Sequence, residues 1–433
     1  MHMSDLSPAS ASSSQRSLIA RLEIDLRLLG MIGAFALVCL TFWIVTDGRF
    51  LSARNIFNLT IQTVSVAIMA TGMVFVIVCR HIDLSVGAIL ALASAVMGMM
   101  QARWLPTTFG LGLGHPLIAP LTMLSGLAVG TAIGALNGWL VGYQRIPAFI
   151  VTLGGLLIWR YVGWYLTAGQ TIAPLDQTFL MFGGAEGTLG VALSWIIGAV
   201  ASAAAIWVQY SARHRRRQHG FPTRPVWAEG VVMLLTSGAI LGFIAILNSY
   251  QVPQAKLRRI FEARGEVMPE GYMQGYGLPI SVLILIFVAI VMAIIASRTR
   301  LGRYIFATGG NPDAAELSGI NTRLLTVKVF ALMGFLCGLS AIIAQARLQA
   351  HPNDIGTLDE LRVIAAAVIG GTALSGGIGT IHGAILGALI MQSLQSGMAM
   401  VGADAPLQNI VVGVVLVLAV WIDIQYRKRL GMR

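Results

Sequence analysis

The sequence predicts an all-α polytopic membrane protein with about 10–12 transmembrane helices, some of them broken or re-entrant. Three observations carry this. Of 433 residues, 56% are hydrophobic and only 11% charged, and the mean hydropathy is +0.79, outside the range of ordinary soluble domains. Apolar runs recur at a length of roughly 20 residues, enough to cross a bilayer core as helix. The charges, 29 basic against 18 acidic, gather at the ends of those runs. That distribution excludes a nucleic-acid surface and fits loops flanking membrane spans.

In chain order, residues 1–27 are polar and Ser-rich and form a cytoplasmic tail. Twelve apolar segments follow: 28–46, 61–79, 84–100, 117–141, 149–167, 191–208, 228–249, 279–297, 325–345, 361–374, 379–400 and 407–422. Segments 84–100 and 361–374 are short and broken by glycine, which marks them as half-helices. Residues 426–433 form a second tail. Counting Lys and Arg with the N-terminus inside puts eighteen on the inner side and eight on the outer, with Arg160, Lys328 and Arg362 within spans. Both termini are therefore expected in the cytoplasm. Segment 168–278 stands apart as an inserted pair of spans with a basic inner loop at Arg213–Arg217 and a charged outer loop. Within that outer loop, 251–268 alternates charged and apolar residues and is expected to lie as a helix on the surface.

The most informative stretch is the polar loop 298–324. Arg298, Arg300 and Arg303 crowd the end of one span. Asn311 offers a helix cap, Pro312 suits the first helical position, and Asp313 and Glu316 favour the positive end of the helix dipole. Gly319 then ends the helix. A short capped helix, Asn311–Pro312–Asp313–Ala314–Ala315–Glu316 and on to Gly319, on the basic side of a membrane protein is a handle for a cytoplasmic partner.

Other motifs sit at the ends of spans or inside them. Arg80, His81, Asp83 and Ser85 interrupt two apolar segments. A carboxylate at membrane depth is costly and normally faces partners or a pathway; Asp83 and Ser85 are also good caps for the following helix. The two roles are compatible. Gly126, Gly130 and Gly134, four apart, let a neighbouring helix approach closely, and Asn137 on nearly the same face can hydrogen-bond across. Arg160 inside its span is either satisfied by snorkelling or ion pairing, or touches the solute pathway. Glu360 opens another short span, which runs into Gly370, Gly371, Ser375, Gly376, Gly377 and Gly379, a break expected to line a cavity or be shielded by protein.

Much is missing. There is no G-x-x-x-x-G-K-[S/T] phosphate loop, the only lysines being Lys256, Lys328 and Lys428, so a nucleotide must be handled by another chain. No zinc-spaced His/Cys cluster and no hydrolase motif occurs. No cofactor is implied. The three cysteines lie in or beside spans and suggest no disulfide framework.

Taken together, Ile82-Asp-Leu-Ser-Val-Gly87, Asn137-Gly138, Ile146-Pro-Ala-Phe-Ile-Val-Thr-Leu153, Gly302-Arg303, Gly309-Gly-Asn-Pro-Asp-Ala-Ala315, Gly319-Ile-Asn321, Glu360-Leu361, Ile364-Ala-Ala366, Gly370-Gly371, Ser375-Gly-Gly377 and Ala419-Val-Trp-Ile-Asp423 resemble the bacterial ABC-type monosaccharide permeases of the ribose/galactose/xylose branch. The resemblance implies a type II ABC importer-like transmembrane domain over 28–425 in the cell inner membrane. It implies three partners besides membrane lipid: a cytoplasmic ATP-binding subunit, an extracytoplasmic sugar-binding protein and a second permease copy. The inserted spans look like the longer xylose-type permeases, which makes D-xylose the expected cargo. Asp83, Ser85, Asn137, Arg160, Glu360 and the 370–377 glycines with Ser375 are then the expected pathway or gate, and 311–319 the expected ATPase-coupling segment. Two departures stand out: Arg80-His81 occupies a place where many relatives carry Gly-Gly, and Tyr161 follows Arg160 where glycine is common. The competing readings are an ion-coupled secondary transporter and an ABC permease for ribose, a nucleoside or a branched-chain amino acid.

Overall fold

The computed structural model describes residues 26–429 except 222 and 224. The expected tail 1–27, apart from its last two residues, and the last four residues of the tail 426–433 lie outside the described residues. The elements are α1 (Leu26–Val45), α2 (Ala53–Val78), α3 (Val86–Met99), α4 (Ile118–Gly142), α5 (Ala148–Thr167), α6 (Gly190–Gln218), α7 (Val226–Ser249), α8 (Gln254–Ala263), α9 (Ile280–Arg298), α10 (Arg300–Gly310), α11 (Pro312–Leu317), α12 (Thr322–Leu348), α13 (Asp359–Ile369), α14 (Ile381–Met400) and α15 (Ala405–Arg429). Among the described residues, ten helices are long and apolar enough to cross a membrane, and Ala405–Trp421 of α15 is a shorter apolar stretch. The only β-pairings among them are isolated bridges.

Segment 84–100 is longer than its apolar run. After α3 the helix passes through a π turn, Met100–Trp104, and continues to Phe109, so it crosses as one span of 24 residues rather than as a half-helix. Polar Gln101 and Arg103 hide this continuation from a hydropathy reading. Segment 361–374 is a half-helix as expected: α13 has 11 residues and stops at Gly370.

α2 forms the central column, with 89% of its apolar window buried; α3 (78%) and α12 (67%) flank it, whereas α6 (17%) and α7 (11%) form a peripheral hairpin. Where both sides of a helix touch protein, the apolar stripe widens to the whole circumference, as in α2. α4 and α12 pack backbone against backbone. A Cβ at Gly130 would meet the carbonyl of Gly334, and one at Gly134 would meet that of Phe330; Gly334 and Gly338 in turn face the Gly130 and Gly126 carbonyls. Without hydrophobic drive between helices in lipid, such contact is what holds a pair together. The spacing at Gly126, Gly130 and Gly134 thus has the packing meaning it was expected to have.

The helices alternate between two ends. One end holds α10, α11 and the 79–85 segment. The other holds α8 and the residues around Tyr250 and Tyr276. The 251–268 stretch does contain a helix, α8, whose Leu257 is buried. Phe57, Tyr250 and Tyr276 stack there with centroids 5.0–5.1 Å apart.

Between α12 and α13 the chain does not return as helix. Residues 349–358 thread back into the bundle as a loop. His351 reaches Ser94 on α3 (2.8 Å), and Thr167 and Gly169 hold Asn353. Gly356, at φ +72°, lies with its carbonyl against Gly87, where neither residue has room for a Cβ. α13 then completes the traverse. The mid-depth break is therefore at 349–358, a place the apolar runs do not mark.

Candidate functional site

Two sites emerge, one at each end of the bundle. At the α11 end, Asp83 Oδ1 accepts from the Ser85 backbone N–H (2.8 Å) and hydroxyl (2.6 Å). The Ser85 hydroxyl in turn accepts from Asn137 Nδ2 (3.1 Å). Asp83 and Ser85 are fully buried and Asn137 nearly so. This chain of bonds ties the break before α3 to α4, while Gly155 lets α5 pass close to Ser85. Ser85 stands at the N-cap of α3, yet its side chain makes no cap bond to that helix; Asp83 instead organises the turn ahead of it. The other carboxylate oxygen, Asp83 Oδ2, is buried with no hydrogen-bond partner.

Arg80 has the most consequential position. It adopts φ +64°, the left-handed backbone that glycine takes most readily. The bend at the position expected to carry glycine is thus made here by a cation. Its Nε donates to Gly309 O and its Nη2 to Gly310 O, both at 2.8 Å. These are the terminal carbonyls of α10, where a cation complements the helix dipole. The glycine loop closes over the same point: Gly377 N–H donates to Val78 O (3.0 Å), and Gly376 packs on the Arg80 side-chain stem. Gly370 packs against the α14 backbone at Gly383, and Gly371 lies at φ +84°. Ser375 belongs to the same loop. The 79–85 break and the glycine loop 370–379 therefore meet each other at one end.

α11 is built as its residues dictate. Asn311 Oδ1 accepts from Ala314 N–H (3.0 Å), Pro312 opens the helix, and Asp313 sits in its first turn. Gly319 at φ +85° ends it. Ala315 is buried against the chain itself, whereas Glu316 is exposed. Leu317, which sequence reasoning passed over, is 91% exposed at the tip. The loop also holds more helix than expected: α10, capped by Thr299 accepting from Gly302 N–H (3.2 Å), precedes α11 at nearly right register for Arg300 and Arg303 to lie within it.

Arg160 and Glu360 lie deeper. Arg160 Nη1 donates to Ile355 O (2.9 Å) and Thr357 Oγ1 (3.1 Å), in the field of Glu360, Asp359 and Asp354. It fastens the 349–358 loop to α5. The Glu360 side chain rests over Gly87 at the start of α3.

Towards the opposite end lies a cavity of about 570 Å³, between α2, α12, the 352–358 loop, α13, α14 and α15. It is lined by Gln62, Ser65, Arg347, Asp359, Arg362, Gln392, Gln395, Ser396 and Asn409, among others; Arg362, noted in the sequence as a charge within a span, borders it, and none of the expected pathway or gate residues does. Gln392 Nε2 donates to Gln62 Oε1 (3.0 Å). A second cavity of about 220 Å³ shares Gln62 and Arg347 and reaches Glu186 and Gln349. Lys256 Nζ meets Glu186 there at 2.8 Å. Tyr276 lies beneath Lys256, its phenol raised by burial and then by Tyr250 and Glu186. A signal existed: Asn55, Asn58, Gln62 and Ser65 follow one another at helical spacing, a polar stripe along an otherwise apolar span.

Glu229, a carboxylate just inside a span, forms an ion pair with Arg213 across the α6–α7 hairpin.

Residues 55–420 match the family described as branched-chain amino acid transport system / permease component. The chain is 37% identical to the xylose transport system permease protein of Escherichia coli (strain K12) over 94% of both chains. Its identity to the corresponding protein of Haemophilus influenzae is 36%, over 94% of this chain and 99% of that one. The ribose import permease protein of E. coli (strain K12) is 33% identical over 87% of both. No solved structure matches. A membrane-spanning bundle with a capped, exposed terminal helix, matched along nearly its whole length, places this chain in the branched-chain amino acid transport system / permease component family, as a multi-pass membrane permease.

Proposed function

We propose that this chain is the membrane subunit of an ATP-driven importer that carries a pentose, D-xylose, across the inner membrane. The observation that carries the cargo is the length of the likeness. Xylose permeases align over 94% of this chain, and ribose permeases over 87% at lower identity. In this reading both termini and α11 face the cytoplasm, where Lys and Arg concentrate. A separate ATP-binding subunit docks on α11, a sugar-binding protein delivers the solute at the opposite end, and two permease copies pair.

The mechanism is mechanical. ATP closes the docked subunits, and α11 moves with them. α10 follows, and through its terminal carbonyls so does Arg80. The 79–85 break and the 370–379 loop, which meet at Arg80, then shift between two arrangements. Asp83, Ser85 and Asn137 form the buried polar joint on which that shift turns, and the ATPase contact runs from Asn311 to Gly319.

The test is uptake in proteoliposomes containing this chain with a pentose ATP-binding subunit and a pentose-binding protein. Labelled D-xylose is expected to accumulate only with ATP inside and with the ATP-binding subunit present. Uptake by this chain alone under a pH gradient, or accumulation of leucine in place of pentose, overturns the proposal.

A further inference from the structure

We propose that the cavity of about 570 Å³ is a site for a neutral polyol, the first place within the membrane where the cargo sugar is held. The inference rests on the pentose-permease reading and adds to it a location, a ligand class and named contacts. It comes from four features of the cavity itself.

Its size falls within the ~300–1,000 Å³ of small-molecule sites. Its lining suits hydroxyl groups: the carboxamides of Gln62, Gln392 and Gln395 each offer an acceptor and a paired donor, which vicinal hydroxyls of either polarity can meet. Its formal charges balance, Arg362 pairing with Asp359 at 3.0 Å and Arg347 offset by Asp354 in the same lining, so the site makes no demand for an ionic ligand. One donor remains: Arg362 Nε is buried with no hydrogen-bond partner, an arrangement that costs free energy unless a ligand or water meets it.

The position fits a staging site. The smaller cavity beside it shares Gln62 and Arg347 and reaches the Glu186–Gln349 surface, so a solute has a polar route inward from that end. In the other direction Ile355, Gly356 and Thr357 form the wall. Beyond that wall Gly356 is pressed on Gly87, and Arg160 pins the Ile355 carbonyl and Thr357 hydroxyl. The cavity is therefore closed towards Asp83 and Ser85 until the loop moves.

The experiment uses full-length chain in the assembled transporter, with Cys39, Cys79 and Cys337 replaced by alanine and Gln395→Cys introduced. A membrane-impermeant thiol reagent is applied from the side opposite α11. Millimolar D-xylose is expected to slow the labelling about tenfold, the occupancy effect of a ligand well above its Kd, whereas leucine leaves the rate unchanged. In parallel, Gln62→Ala and Arg362→Lys are expected to lower D-xylose uptake about tenfold, equivalent to ~1.4 kcal/mol. Equal labelling with and without xylose overturns the site, as does protection by leucine alone or full uptake by both variants. A wild-type transporter that moves no pentose overturns the permease reading instead. The labelling assay needs no transport, so a variant that fails to assemble does not spare the proposal.

Discussion

Arg80 donates two hydrogen bonds to the last two carbonyls of α10, at Gly309 and Gly310, and thereby joins the break before α3 directly to the helix that leads into α11. The joint is local chemistry with a long lever. Arg80 holds a left-handed bend of the kind glycine takes most readily while adding a cross-link.

Arg80→Ala is expected to lower the thermal stability of the purified permease by about 1.5–3 kcal/mol, the value of one charge-assisted hydrogen bond, because the exposed bond to Gly310 is readily replaced by water. It should also raise the number of ATP molecules hydrolysed per sugar moved. Arg80→Lys should recover part of the coupling, since lysine keeps the charge but not the forked geometry. The ratio of ATP hydrolysis to uptake in proteoliposomes checks this; an unchanged ratio in Arg80→Ala would remove Arg80 from the coupling route.

At α11 the exposed Leu317 is the apolar tip of an otherwise polar surface. Leu317→Asp is expected to weaken copurification of the ATP-binding subunit about tenfold or more, the scale of a central interface anchor. Glu316→Arg and Gly319→Asp should uncouple transport while leaving insertion of the permease intact. Retained complex and full uptake in all three would show that the partner touches elsewhere.

The α4–α12 contact predicts a fold defect rather than a functional one. Gly130→Leu puts a side chain where the Gly334 carbonyl lies. It should cost at least ~1–3 kcal/mol, the usual cost of overpacking, and more where backbone must yield. Fluorescence-detected gel filtration after heating should show an earlier loss of the monodisperse peak. Gly242→Leu, at an open position on the peripheral hairpin, should leave the profile unaltered.

Arg160 predicts a change in access. Arg160→Ala frees the Ile355 carbonyl and the Thr357 hydroxyl, and the loop they belong to should open more often. A cysteine at Thr357 in that background is expected to react several-fold faster with a small polar thiol reagent than in the parent, each lost hydrogen bond to a charged group being worth about 1.5–3 kcal/mol. An equal rate would show that packing at Gly87 and Gly356 holds the loop unaided.

The sequence determined whatever depends on local period and composition. Apolar runs of span length gave the number of spanning helices to within 361–374 and 407–422. Asn311, Pro312 and Gly319 fixed α11 because caps act within one turn, and Gly126, Gly130 and Gly134 announced a close helix contact by their spacing. Asp83, Ser85 and Asn137 were each visible as polar residues in apolar surroundings, although their bonding to one another was not. Tertiary structure alone decided what depends on residues distant in the chain. It set Arg80 against Gly309 and packed the 370–379 glycine loop onto the 79–85 break. It also threaded 349–358 into the bundle, a segment with no apolar run of its own, whose backbone is met by Arg160 at Ile355 O and by Ile172 at His351. The polar cavity escaped notice for the same reason: Gln62 and Gln392 are 330 positions apart, and a single glutamine in an apolar span has no meaning until the fold sets another beside it.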